Sequence, residues 1–411
     1  MARKHDYLLY IGFTWLLLVG LACNKDSVVA EEQTPPAPEV PPPTLDEIRQ
    51  GLADKSATDA TTALFYNLKK IAEEHTLFGH QDATKRGVDD NATEWANEQH
   101  LAMVSNEKSD VKTVTGAYPS VYGHDFNHIA GFFEPDHGWF VYEKEIARQL
   151  TIDAYNRGGV NTYSWHYDNP VSKGSFYWDD SPVKAVYNIL PGGSNHDVYK
   201  MSLRTIADYA KTLVGTDGKL VPVIFRPFHE FDGDWFWWGR AHCTVAEYKQ
   251  LYQFTVTYLR DELGVHNFLY AWSPDRNFNS EPELLQRYPG DEYVDLIGTD
   301  NYWDLQSAST VVEAANKFKI ISDYAKKRNK LAAVTETGLL NLTQNDWYTQ
   351  VLLKALQHHE LAVAYVLVWA NRKDGFWTPH KGHPAEADFV SFKNNDYILF
   401  GDEMPEIYKI P

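Results

Sequence analysis

A closed (β/α)8 barrel, as a single catalytic-type domain, is predicted for this 411-residue chain by three observations. Eight short apolar runs alternate with amphipathic segments of helical period, the pattern of parallel strands covered on both faces. Polar and aromatic residues gather at the C-terminal ends of seven of these units: GHQD, SWHYDNP, RPFHE, AWSPDRN, GTDNYW, TETG and VWANR. That end of a barrel is where its loops carry chemistry. The first run is followed by Gly79-His80-Gln81-Asp82, without the GxGxxG that an open doubly wound sheet would present.

The chain opens on Arg3, Lys4 and His5, then an apolar stretch from Leu8 to Leu21. Residues 1–22 read as an export signal. Their end, LVGLAC, resembles the lipobox of bacterial lipoproteins, which implies a lipidated Cys23; an ordinary secretory signal is the alternative. Residues 23–44 hold Glu31, Glu32 and six prolines between Pro35 and Pro43, so they form a stiff extended spacer. Asn24 rather than Asp follows the cysteine, which points to the outer membrane, with membrane contact only through the anchor. Residues 45–411 form the body, expected as a monomer.

Within the body the expected strands are Leu77–His80, Leu101–Ser105, Gly159–His166, Val221–His229, Phe268–Ser273, Val294–Asn301, Leu331–Glu336 and Val363–Ala370. Helical segments lie between them, among them Glu143–Arg157, Lys200–Leu213, Val245–Leu263, Val311–Lys327 and Asp346–His358. Two connections are long, 107–142 and 167–198, and both are aromatic: Tyr118, Tyr122, Phe126, Phe132, Phe133 and Trp139; then Phe176, Tyr177 and Trp178. Long loops on that face shape a cleft.

Composition narrows the partners. A net charge of -18 repels phosphate and argues against nucleic acid. Aromatics at 14% favour stacking on flat-faced ligands such as sugars. The two cysteines, Cys23 and Cys243, make no disulfide framework.

Val221–Gly239, VPVIFRPFHEFDGDWFWWG, is the centre of the body. A buried strand turns polar at Arg226, His229 and Glu230 and opens onto Trp235, Phe236, Trp237 and Trp238. Glu336 closes the seventh strand as Glu230 closes the fourth, and these two strands face each other across the barrel mouth. Two converging carboxylates are the minimal apparatus for glycoside hydrolysis. One must stay protonated near neutral pH, and burial beside Trp235 and Phe231 would raise Glu230. The other must stay ionised, which donors from Tyr302 and Arg226 would favour for Glu336. A retaining mechanism asks for carboxyls about 5–5.5 Å apart.

RPFHEFDGDWFWWG, followed about a hundred residues later by TETG, resembles glycoside hydrolase family 26, chiefly β-mannanases; FGHQD, SWHYDNP, GTDNYW and VWANR extend the likeness over the body. The resemblance implies a (β/α)8 barrel and a retaining double displacement with Glu230 as acid/base and Glu336 as nucleophile. It implies that His229 contacts substrate or nucleophile, that Tyr302 holds the nucleophile, and that Trp235 lies near the scissile bond. Trp369 would floor the subsite where the sugar distorts, His166 would contact sugar hydroxyls beside it, and Trp178 would stack farther out. The substrate implied is β-mannan or manno-oligosaccharide, with no cofactor and no metal; mixed-linkage glucan and β-1,3-xylan are alternatives within the family. Two rivals stand outside it. A metal-dependent hydrolase would need His80, His166 and His229 to converge as ligands. A non-catalytic glycan-binding lipoprotein would have no use for two opposed glutamates.

Overall fold

Eight parallel strands close on themselves: β1 (Thr76–Gln81), β2 (Val121–Asp125), β3 (Val160–Trp165), β4 (Val223–Pro227), β5 (Phe268–Trp272), β6 (Leu296–Asp300), β7 (Leu331–Thr337) and β8 (Tyr365–Val368). β8 returns to β1 with Leu77 against Tyr365 and His80 against Val368, so the barrel has no open edge. This computed structural model describes residues 42–89, 93–96, 107–131 and 138–410. The expected export signal, Cys23 and the spacer as far as residue 41 lie outside them, as do Leu101–Ser105, Phe132 and Phe133. Pro43–Pro411 forms one compact unit.

Except for Asp125, every residue of the eight strands is buried. Strands sandwiched between a filled barrel interior and a ring of helices lose their polar face, which is why they read as continuous apolar runs. The helices keep a one-sided stripe. Val311–Lys327 buries Val311, Ala314, Ala315, Phe318, Ile321 and Ser322 at three- and four-residue spacing and ends on Lys326 and Lys327, which suit its negative C-terminal pole. Val245–Thr257 begins with a reciprocal cap, in which Glu247 N donates to Thr244 Oγ1 (3.2 Å) and Thr244 N to Glu247 Oε2 (2.7 Å). The floor of the barrel is crossed by the chain before β1, tied by Ala53 N to the buried Asp295 carboxylate at 2.6 Å.

One expectation is corrected, and two helices are found as expected but with a π-helical stretch in each. The second barrel strand is Val121–Asp125, inside the stretch taken for a long loop. Its sequence, VYGHD, has little apolar character because a glycine, a histidine and an aspartate fill its C-terminal half; Gly123 lies close against Gln81, whose Oε1 a Cβ there would meet at 1.9 Å. The helix expected over 245–263 gives way after Thr257 to a wide π-type turn, Tyr258–Glu262. The one expected over 346–358 is a π-type turn, Tyr348–Leu352, followed by Leu353–Gln357.

β7 carries one residue more than both neighbours at its C-terminal end. Thr299 pairs with Val334 but Asp300 with Glu336, and Val366 pairs with Val334 but Val368 with Thr337. A bulge of this kind breaks the alternation of side chains and re-aims them. Here Thr335 Oγ1 turns to donate to Asp300 (2.6 Å) while Glu336 meets Arg226 and Tyr302.

Candidate active site

The end of β4 leaves ordinary strand geometry at once. Phe228 and Glu230 both have left-handed backbones, with φ of 51° and 52°. Each such residue costs an L-amino acid about 1–2 kcal/mol. The surroundings hold it in place: Tyr248 Oη donates to Phe228 O (3.0 Å), Trp238 Nε1 to His229 O (2.7 Å) and Glu230 N to Ser273 O (2.9 Å). Strain of this sort persists only where the framework over-determines it, and it concentrates at functional sites. The aromatic wall therefore divides in two. Trp237 and Trp238 are fully buried and serve packing, whereas Trp235 is 38% exposed and faces the cleft.

Glu336 sits among donors. Its Oε1 accepts from Arg226 Nη2 and its Oε2 from Tyr302 Oη at 3.0 Å. Arg226, itself buried, also donates to Asp300 Oδ2 at 2.6 Å and to Ser273 Oγ at 3.3 Å. Burial opposes the Arg226 charge, but Asp300 and Glu336 outweigh it and hold the guanidinium firmly protonated. Burial also pushes the Asp300 carboxyl up, against Arg226. Arg226, Ser273 and Thr335 nevertheless converge on its oxygens as donors, so Asp300 is a carboxylate. One cation thus balances two anions, and the cluster is left one charge negative.

Glu230 faces that excess charge. Burial first, then Glu336, Asp300 and Asp275, push its carboxyl well above the ordinary range, against the 2.6 Å donation from Trp235 Nε1 to Oε2. The result is one carboxylic acid and one carboxylate with opposed environments, the arrangement that separates acid from nucleophile. A stability consequence follows with a definite sign. The folded chain binds the Glu230 proton more tightly than the unfolded chain. The stability this group contributes is therefore full below its ordinary value and is lost as pH rises through the raised one. Glu230→Gln is expected to raise the melting temperature by about 2–4 °C near pH 8 and to leave it unchanged near pH 4. Thermal melts at both pH values check this; an equal gain at both would make it a packing effect.

The structure brings the remaining expected residues to the same mouth. His166 lies edge-on to His229 (ring centroids 4.5 Å), Trp369 (5.8 Å) and Phe236 (5.6 Å). Trp178 bonds from its backbone N to Trp235 O (2.7 Å), and one face of its ring is stacked on His242 at 3.7 Å. Tyr177 stacks on Phe236 at 5.6 Å, so the loop after β3 is clamped to the loop after β4. Asp300, Ser273, Thr335 and Asp125 are not singled out by the sequence reading. Asp300 stood in GTDNYW, among polar strand ends that could have been read as a set; Asp125 was hidden with its strand.

His80, His166 and His229 do not converge as ligands. His80 is sealed at the end of β1, where burial pushes it down to about 4, while His166 is bonded to Asp125 and His229. Among the described residues no group of three His, Cys, Asp or Glu side chains is arranged to hold a metal ion. Cys243 is buried, with its thiol directed at Trp238 O (3.3 Å).

Comparison with known proteins agrees with the geometry. The model of glycosyl hydrolase family 26 matches residues 53–384. A protein named mannan endo-1,4-beta-mannosidase from Bifidobacterium adolescentis is 35% identical over 377 residues, 86% of this chain; the chain spans only 36% of that relative's length. The solved structure of GH26C from a Muricauda species is 40% identical with a TM-score of 0.82, covering 89% of this chain and 98% of that one. The GH26 beta-mannanase from Bacteroides ovatus is 34% identical with a TM-score of 0.76, covering 86% and 98%. A matching model over most of the body, on a closed eight-stranded barrel with two opposed glutamates at its mouth, leaves one conclusion: this chain belongs to glycosyl hydrolase family 26.

Proposed function

We propose that the chain is a retaining β-1,4-mannanase that cleaves mannan, galactomannan or glucomannan through a glycosyl-enzyme intermediate. The observation that carries this reading is the unequal pair: Glu336 held by two donors, Glu230 pushed up by burial and by Glu336 itself. Trp235 Nε1 occupies Glu230 Oε2, which leaves Oε1 to carry the proton to the departing glycosidic oxygen. Glu336 attacks the anomeric carbon as that bond breaks, with one oxygen fixed by Arg226 and the other by Tyr302. In the second half, Glu230, now ionised, takes a proton from water, which attacks the same carbon and frees Glu336. Tyr302 is held neutral by burial and by the acids around it, so it donates to the nucleophile throughout. His166, His229, Trp235 and Trp369 form the walls around the sugar at the bond broken, and Trp178 stands farther along the cleft.

Mannan is favoured by the names carried by the relatives, and the other β-glycans of the family are the second reading. The two clamped loops after β3 and β4 favour release of short products such as mannobiose. We place the enzyme in the cell envelope as a monomer, exported by residues 1–22 and anchored at Cys23. The test is a product time course on mannohexaose and polymeric galactomannan, with the anomer followed by proton NMR. The β-anomer should appear first; first appearance of the α-anomer would mean inversion. Turnover of mixed-linkage glucan or xylan, with none of mannan, would replace the substrate.

A further inference from the structure

Asp125, the one residue of the eight barrel strands that is not fully buried, is surrounded by donors. Asn127 N (2.7 Å) and His166 N (3.2 Å) meet its Oδ1, and Ser164 Oγ (2.9 Å) and His166 Nδ1 (2.5 Å) meet its Oδ2. Burial opposes its charge, but His166 and these bonds overcome that and hold the carboxyl well below its usual range. A carboxylate there only accepts, so the proton between the two residues sits on His166 Nδ1.

The other side of that ring is also engaged. His166 Nε2 lies 3.2 Å from His229 Nε2, and two like nitrogens at that distance share one proton. His229 is 1% exposed, and burial, Arg226 and His166 all keep it neutral, so it carries one proton of its own. If that proton sat on Nδ1, it would be a buried donor with no acceptor, since Nδ1 has no partner. If it sits on Nε2, it is given to His166 and only a lone pair is left unused. Orphaned buried donors are the rarer and costlier of the two. The order is therefore Asp125 carboxylate, Nδ1–H of His166, Nε2 of His166, H–Nε2 of His229.

We propose that Asp125 is a positioning residue which, acting through His166, fixes the proton of His229 on Nε2 and keeps that ring neutral beside Glu230. The consequence matters because a positive charge one residue from Glu230 would favour its ionised form and remove the acid. With the array in this order, His229 is a neutral donor to His166 and puts no positive charge beside Glu230.

The proton order is independent of substrate; only its effect on turnover rests on the glycosidase reading. The test is imidazole 15N NMR on the whole chain, with His166→Gln and His229→Gln assigning the signals. In the wild type the spectrum should show His166 Nδ1 bearing the proton shared with Asp125 and a neutral His229 protonated on Nε2, and Asp125→Asn should populate the other His229 tautomer. On whichever glycan the wild type cleaves, Asp125→Asn should lower kcat/KM on the order of 100-fold, but about threefold or less in the His166→Gln background. A His229 proton on Nδ1 in the wild type, or equal losses in both backgrounds, overturns the proposal. Should Asp125→Asn fail to fold, the wild-type spectrum alone decides. Should the wild type cleave no glycan, the mannanase reading falls and the spectrum still judges the array.

Discussion

Glu336→Ala is expected to lower kcat on β-mannan by on the order of 10⁴-fold or more, the largest loss of any single change in the chain. The variant has lost the atom that forms the covalent bond, so no rearrangement of neighbours restores the first step. Azide should restore part of the turnover on a β-mannoside with a good leaving group, and the product should be the α-glycosyl azide. The small anion enters where the carboxylate stood and displaces the leaving group once, with inversion. Glu336 is also one of two carboxylates on Arg226, so the variant keeps the Arg226–Asp300 pair but loses a buried charge-assisted hydrogen bond, about 1.5–3 kcal/mol of stability. The assay therefore belongs well below the melting temperature of the variant, where circular dichroism shows it folded. Unchanged turnover by a folded Glu336→Ala would end the double-displacement reading.

Glu230→Ala is expected to fail differently. Without a proton for the departing oxygen, hydrolysis of polymeric mannan should fall by on the order of 10²–10⁴-fold, the range for loss of general acid catalysis. A dinitrophenyl mannobioside, whose leaving group needs no proton, should still load the nucleophile, giving a burst followed by slow release. Azide should intercept that intermediate and yield the β-glycosyl azide, the opposite anomer to the one from Glu336→Ala. The alkaline limb of the wild-type kcat/KM profile, set by ionisation of the raised Glu230 carboxyl, should vanish in the same variant. Two α-azides, or a limb that stays in place, would mean the roles of the two glutamates had been assigned wrongly.

The barrel was legible because a strand buried on both faces has no polar side left to confuse its reading, as in VIFRP and LYAW. VYGHD escaped for the converse reason. Its glycine lies close against Gln81 of the neighbouring strand, and its histidine and aspartate answer to Asn161 and Ser164 on β3. Glu230 and Glu336 could be found from the chain since each stands at the end of an apolar run. The bulge that turns Glu336 toward Arg226 could not, because LAAVTET reads as a regular strand and the extra residue exists only by comparison with β6 and β8. The bond between Asp125 and His166 joins positions 41 apart. Nothing in the local pattern of either residue announces the other.

The left-handed backbone at Glu230 bears on how such a chain can persist over generations. A glycine at that position would relax the turn, and an uncharged residue would relieve the crowding of negative charge. The sturdiest version of this protein is thus an inactive one, and random substitution at position 230 drifts toward it. A population that stopped using the enzyme would be expected to lose this glutamate early and keep the barrel. Glu230 thus stands in a rigidly held turn that folding alone would not favour.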